Sequence, residues 1–96
     1  MSDNRPKAKA NVQIDNDRVI VTEWYFSPGA ETGWHRHAYD YIVVPEMNGN
    51  LLIETDEGKK ISELKLGQSY SRPVGVEHNV VNANDYDFAF VEVELK

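Results

Sequence analysis

Residues Gly67–Asn82 read GQSYSRPVGVEHNVVN, and Gly29–His37 read GAETGWHRH. Together the two stretches hold all three histidines of the chain, His35, His37 and His78. Residues two apart in a strand project to the same face, so His35 and His37 enter one interior while Arg36 points away. A shared metal ion then needs a group from another strand, and His78 is the histidine left to supply it. Pro73 and Gly75 precede it, a pair suited to a tight turn and a close backbone approach just before the ligand strand. Three neutral imidazoles leave coordination positions open, which suits a catalytic or substrate-binding metal better than a closed structural one. By spacing alone, the same residues also read as surface polarity on a strand and a separate hydrogen-bonded histidine.

Outward from these stretches the chain reads as all-β. Turn signals recur at Asp15-Asn16-Asp17, Ser27-Pro28-Gly29, Asn48-Gly49, Asp56-Glu57-Gly58, Leu66-Gly67, Pro73-Val74-Gly75 and Asn84-Asp85. Between them lie short runs rich in β-branched and aromatic residues: 18–26 (RVIVTEWYF), 41–44 (YIVV), 51–54 (LLIE) and 88–95 (FAFVEVEL). In the last run Ala89, Val91, Val93 and Leu95 share one face, and Phe88, Phe90, Glu92 and Glu94 the other. Helical readings fail because glycine, proline or a β-branched cluster interrupts every window. Many short strands at even spacing imply a sandwich or small barrel.

The 96 residues suffice for one domain, expected over 11–96 after a flexible N-terminal segment, 1–10. The composition, 41% hydrophobic and 27% charged, is that of a globular protein, and no apolar run approaches the ~18 residues of a membrane span. The first residues lack the apolar region of a secretory signal, so the expected compartment is the cytoplasm. With no cysteine, thiolate chemistry, zinc fingers and iron–sulfur clusters are excluded. The net charge of −6 argues against nucleic acid as a partner. So small a domain has a limited core, and a homodimer is expected on that ground.

Gly67, Pro73, Gly75, His78 and Asn82 match every fixed position of the second cupin motif, G-x5-P-x-G-x2-H-x3-N. Gly29, His35 and His37 match the opening of the first, G-x5-H-x-H. The chain thus resembles a small single-domain cupin of the RmlC-like kind. The resemblance implies an all-β double-stranded β-helix, or jelly-roll barrel, with His35, His37 and His78 binding a divalent metal (Fe, Mn, Ni or Zn) in its mouth. The C-terminal half is also loosely similar to small cupins associated with β-alanine degradation.

The first motif departs from the family where a fourth ligand, glutamate, is expected three or four residues after the second histidine. Tyr41 and Ile42 stand there, with Asp40 one residue early. Tyr41 reads as a pocket-lining residue, or as a fourth ligand through its phenol; a register change would admit Asp40. Loss of the carboxylate leaves a bound metal more Lewis acidic.

Tyr39, Tyr70 and Arg72 are candidates for the pocket mouth, and Arg72 could meet an anionic substrate or form a surface salt bridge. Trp34 should point opposite to His35 and pack in the core; Trp24, Tyr25 and Phe26 read as barrel wall or dimer interface. Glu23, Glu92 and Glu94 fall inside strand runs, where a carboxylate is unusual unless its face is wet. Two function classes follow. One is a metal-dependent enzyme (dioxygenase, isomerase or lyase) acting on a small polar metabolite; the other is a non-catalytic module binding a small ligand. Neither involves nucleic acid or a membrane.

Overall fold

The computed structural model describes residues 4–96. Nine strands occur among them: β1 (Lys9–Asp15), β2 (Val19–Phe26), β3 (His35–Arg36), β4 (Asp40–Pro45), β5 (Gly49–Thr55), β6 (Gly58–Leu64), β7 (Tyr70–Arg72), β8 (Glu77–Asn82) and β9 (Phe88–Leu95). They form two antiparallel sheets, one in the order β1-β2-β9-β4-β7 and the other β3-β8-β5-β6. The sheets enclose one core, in which Phe26, Phe88, Phe90, Leu51, Val43 and Val80 interdigitate. This is the double-stranded β-helix expected from the motifs. No helix among the described residues is long and apolar enough to cross a membrane.

Several strand boundaries have a local cause. The Asn16 side chain accepts hydrogen bonds from the amides of Arg18 and Val19, at 2.8 and 2.9 Å, and so closes the β1–β2 turn. Gly75 holds a φ of 95°, the left-handed region that glycine enters without steric cost, and this sets the turn between β7 and β8. Asn82, fully buried at the end of β8, donates to the carbonyls of Phe26, Ser27 and Tyr86 and accepts from Asn84. One side chain thereby ties three chain segments together. That accounts for an asparagine at the last motif position, since an apolar residue there would strand several buried carbonyls.

Three sequence expectations change. The apolar runs 18–26, 41–44, 51–54 and 88–95 fall within β2, β4, β5 and β9, but β1 and β6 are mostly polar and their periodicity is masked. The segment 1–10 does not stand apart from the domain in its described part, and Lys9 and Ala10 open β1. Arg5 reaches Glu31 and Glu54 at 3.2 and 2.9 Å, and the Ala8 amide donates to the Glu31 carbonyl. Trp34 is 54% exposed instead of packed, because β3 is a two-residue strand at a sheet edge and its far side meets solvent.

Candidate metal centre

The three histidines meet at one end of the barrel. His35 on β3 pairs directly with His78 on β8, while the His37 amide donates to the Val76 carbonyl and its carbonyl accepts from Gly75. The Pro73–Gly75 turn thus docks against the H-x-H segment and brings the third imidazole across. The Nε2 atoms of His35 and His37 lie 3.0 Å apart, and those of His37 and His78 3.1 Å apart. Two nitrogens bonded to one ion at about 2.1 Å and at right angles would be about 3.0 Å apart, against about 3.4 Å for a tetrahedral pair. The spacing is close enough for the nitrogens to share one ion, and three protein ligands would leave further coordination positions open.

The His35 ring is aimed from behind. His35 Nδ1 lies 2.8 Å from the Gly33 carbonyl oxygen, which can only accept, so Nδ1 carries the proton and Nε2 presents its lone pair. Gly33 is itself held, its amide donating to Asn79 Oδ1 at 2.9 Å, and Thr32 Oγ1 donates to its carbonyl. Asn79 in turn donates to Glu31 and Glu54, the same carboxylates that Arg5 engages. Glu54 sits at a pKa of about 2, held down by its hydrogen bonds to Arg5 and Asn79. A chain of hydrogen bonds therefore runs from the N-terminal segment to the first imidazole.

His37 and His78 are buried, and desolvation, then the charge of His35, lowers both to a pKa of about 4. Both rings are neutral at pH 7, the state metal binding requires. Glu92 on β9 faces inward, with Oε2 4.0 Å from His37 Nδ1. Burial, then neighbouring Glu94, raises its pKa to about 7, while a hydrogen bond from Trp24 acts the other way. His37, Glu92 and Glu94 form a second grouping of possible ligands, on a face of His37 that the three-histidine group leaves free.

Tyr41 is buried and lines the cavity beside the histidines. Its ring stacks on the His37 imidazole, centroids 3.8 Å apart and planes 17° from parallel. Burial raises its phenol well above the usual range, so it stays protonated. Asp40 is engaged elsewhere, its Oδ1 accepting from the Val74 amide at 2.7 Å. The carboxylate that a cupin would place at the Tyr41 position is therefore replaced by an aromatic support.

A cavity of about 170 Å³ opens beside the histidines. Its walls include Val43, Leu51, Ile53, Val80 and Phe90, with Arg72, Lys60, Tyr70 and Glu92 supplying polar groups. Tyr70 and Arg72 are among its lining residues, with the Arg72 guanidinium 5.2 Å above the Tyr70 ring. Tyr39 does not line it: the residue lies in the bend before β4, where strand alternation has not begun. Among the described residues Arg72 makes no salt bridge. Sequence reasoning did not point to Lys60 or Asn79, and it noted Glu92 beside Glu23 and Glu94 without assigning which of them faces inward. The alternation of 88–95 put Glu92 and Glu94 on the face shared by Phe88 and Phe90, a signal that could have pointed inward.

Barrel, motif spacing and histidine geometry define one class, and the chain belongs to the cupin family. It is 58% identical over 92 residues to the beta-alanine degradation protein BauB of Pseudomonas aeruginosa, spanning 96% of this chain and 97% of that protein. It is 61% identical to a cupin domain from Bordetella pertussis Tohama I, with a TM-score of 0.95 over 97% of each chain. A double-stranded β-helix protein from Klebsiella pneumoniae, 21% identical, shares the fold at a TM-score of 0.75 over 99% of this chain and 86% of that one. No family model matches the chain.

Proposed function

We propose that this cupin is a cytoplasmic metal-dependent enzyme acting on a small anionic metabolite through an open three-histidine site. The observation that carries the reading is the convergence of three imidazole Nε2 atoms on one point at the edge of an internal cavity. The donor set is all nitrogen, and imidazoles of this kind suit Fe, Mn, Ni or Zn. Such an ion, when bound, supplies Lewis-acid polarisation of a substrate oxygen and, if it is iron, access to dioxygen chemistry.

The remaining steps belong to the chain's own residues. Arg72, free of a salt bridge among the described residues, can pair with a substrate carboxylate at the cavity wall. Val43, Leu51, Ile53 and Phe90 exclude water from the substrate's carbon skeleton and strengthen the polar contacts that remain. Glu92, with a pKa of about 7, can take up or release a proton at Oε2 near neutral pH. The name of the Pseudomonas aeruginosa relative supports a substrate drawn from β-alanine breakdown, that is, a short acid whose carboxylate would suit Arg72.

Elemental analysis of the purified protein beside His78→Ala tests this reading. The expected result is near one metal per chain in the wild type and none in the folded variant. Substoichiometric metal, with no thermal protection by added Fe(II), Mn(II), Ni(II) or Zn(II), would leave a ligand-binding module as the function.

A further inference from the structure

Charge is unevenly spread around the cavity beside the histidines. Its lining includes two cations, Lys60 and Arg72, and a single carboxylate, Glu92. Glu92 is directed at the histidines, with Oε2 4.0 Å from His37 Nδ1. The two cations have no such partner. Among the described residues neither forms a salt bridge, whereas the adjacent Lys59 pairs with Glu54 at 3.5 Å. Lys60 and Arg72 are exposed although they line the cavity, so both stand at its mouth.

Topology sets them there. β6 is the last strand of one sheet and β7 the last of the other, and residues 65–69 join them. Lys60 therefore forms one lip of the cavity and Arg72 the other. Arg72 pairs with Tyr41, whose ring backs His37. Lys60 pairs with Ile53, which pairs with Val80, two residues along β8 from His78. Two strand spacings of ~4.8 Å and two residues at ~3.3 Å rise put the Cα atoms of Lys60 and His78 about 12 Å apart. The two side chains span much of that distance, and a short molecule fills the rest. Volume sets the same limit. A water molecule takes about 30 Å³ of liquid, so a cavity of about 170 Å³ holds roughly six to eight linked carbon and oxygen atoms.

We propose that the site takes a carboxylic acid of about three to five carbons that bears a second oxygen function, hydroxyl or carbonyl, and no ammonium group. The inference rests on the three-histidine reading above and names the substrate class for it. The carboxylate is held at the mouth by charge-assisted contacts from Lys60 and Arg72. The second oxygen turns to the histidine end, and the carbons lie against Val43, Ile53 and Phe90. An amine of the same length would bring one more positive charge to a site already holding two cations, with Glu92 alone to balance them.

Isothermal titration calorimetry of the purified protein, at millimolar ligand, tests this with 3-hydroxypropionate, β-alanine and propionate. The first two differ only by a hydroxyl in place of the ammonium, and propionate lacks both. 3-Hydroxypropionate should bind about tenfold or more tightly than β-alanine. Lys60→Met and Arg72→Met should each weaken its binding by about tenfold, with metal content unchanged on elemental analysis. Lys59→Met removes the same charge outside the cavity and should leave affinity within about twofold. Lys60 is exposed, so its variant keeps the fold, checked by circular dichroism. The two readings fail separately. A wild type without metal overturns the three-histidine reading, and propionate binding that is lost in Lys60→Met and Arg72→Met then still supports the carboxylate subsite. With metal bound, β-alanine binding as tightly as 3-hydroxypropionate, no binding of 3-hydroxypropionate, or affinity unchanged in Lys60→Met overturns the proposal.

Discussion

The rings of His37 and Tyr41 lie 3.8 Å apart and nearly parallel, so the residue in the glutamate place of the first cupin motif backs a candidate ligand with its ring face. The contact uses the face of the Tyr41 ring, which phenylalanine would also supply, and does not draw on the phenol oxygen. Tyr41→Phe should therefore retain metal affinity within about threefold. Tyr41→Ala removes a buried aromatic, with an expected cost of about 3 kcal/mol and metal affinity lowered about tenfold as His37 loses its backing. Metal titration and urea unfolding of both variants check this, and loss of metal in Tyr41→Phe would make the phenol a ligand.

Acid release of the metal should come late. An ordinary histidine competes for protons near pH 6.5, but His37 and His78 have pKa values of about 4. Protons displace the ion only when they bind the same nitrogens, so occupancy should hold between pH 7 and 5 and fall toward pH 4. Dialysis against buffers from pH 7 to 4, followed by elemental analysis, measures it. Half-release at pH 6 would mean that the imidazoles are not shielded as their burial requires.

Glu92→Gln should stabilise the metal-free protein at alkaline pH. Its folded pKa of about 7 exceeds the ordinary value of 4.5, so between these values the folded state binds more protons and stability falls as pH rises. The charge then costs up to about 3 kcal/mol above pH 7 and nothing below pH 4.5. His37 and His78 have the opposite sign: their lowered pKa values make stability fall as pH drops from 6.5 toward 4. In the chelator-treated protein, Glu92→Gln should thus gain most at pH 8, match the wild type near pH 4.5, and rise steadily in between. Urea unfolding at pH 4.5, 6 and 8 provides the comparison.

Gly49 tests how tightly the barrel closes. A Cβ there would sit 2.6 Å from Cε1 of Phe88, a side chain with no exposure. Gly49→Ala should cost about 1–3 kcal/mol through overpacking. Gly29→Ala meets nothing within 4 Å, so its cost comes only from its φ of 77°. Thermal unfolding of both separates crowding from backbone strain.

Arg5 shows where the sequence could not be read locally. Its neighbours suggest a loose, polar end, yet its guanidinium bridges two carboxylates, 26 and 49 residues away, that hold Asn79 and, through Gly33, His35. The pattern in β9 was equally legible and equally incomplete. Alternation separated Glu92 from Val93, but only pairing with β2 and β4 decided that the carboxylate enters the cavity and the valine faces out.

By itself the sequence determined an all-β chain, because turn-setting residues at Gly29, Gly67, Pro73 and Gly75 and two-residue strand periodicity are local properties; its resemblance to the cupin motifs supplied the barrel type and the three candidate ligands. Tertiary structure decided what surrounds those ligands. Which ring stacks on His37, which oxygen orients His35 and which face of β9 meets the cavity depend on how the folded chain brings its segments together. Those contacts exist only once two sheets close over one core.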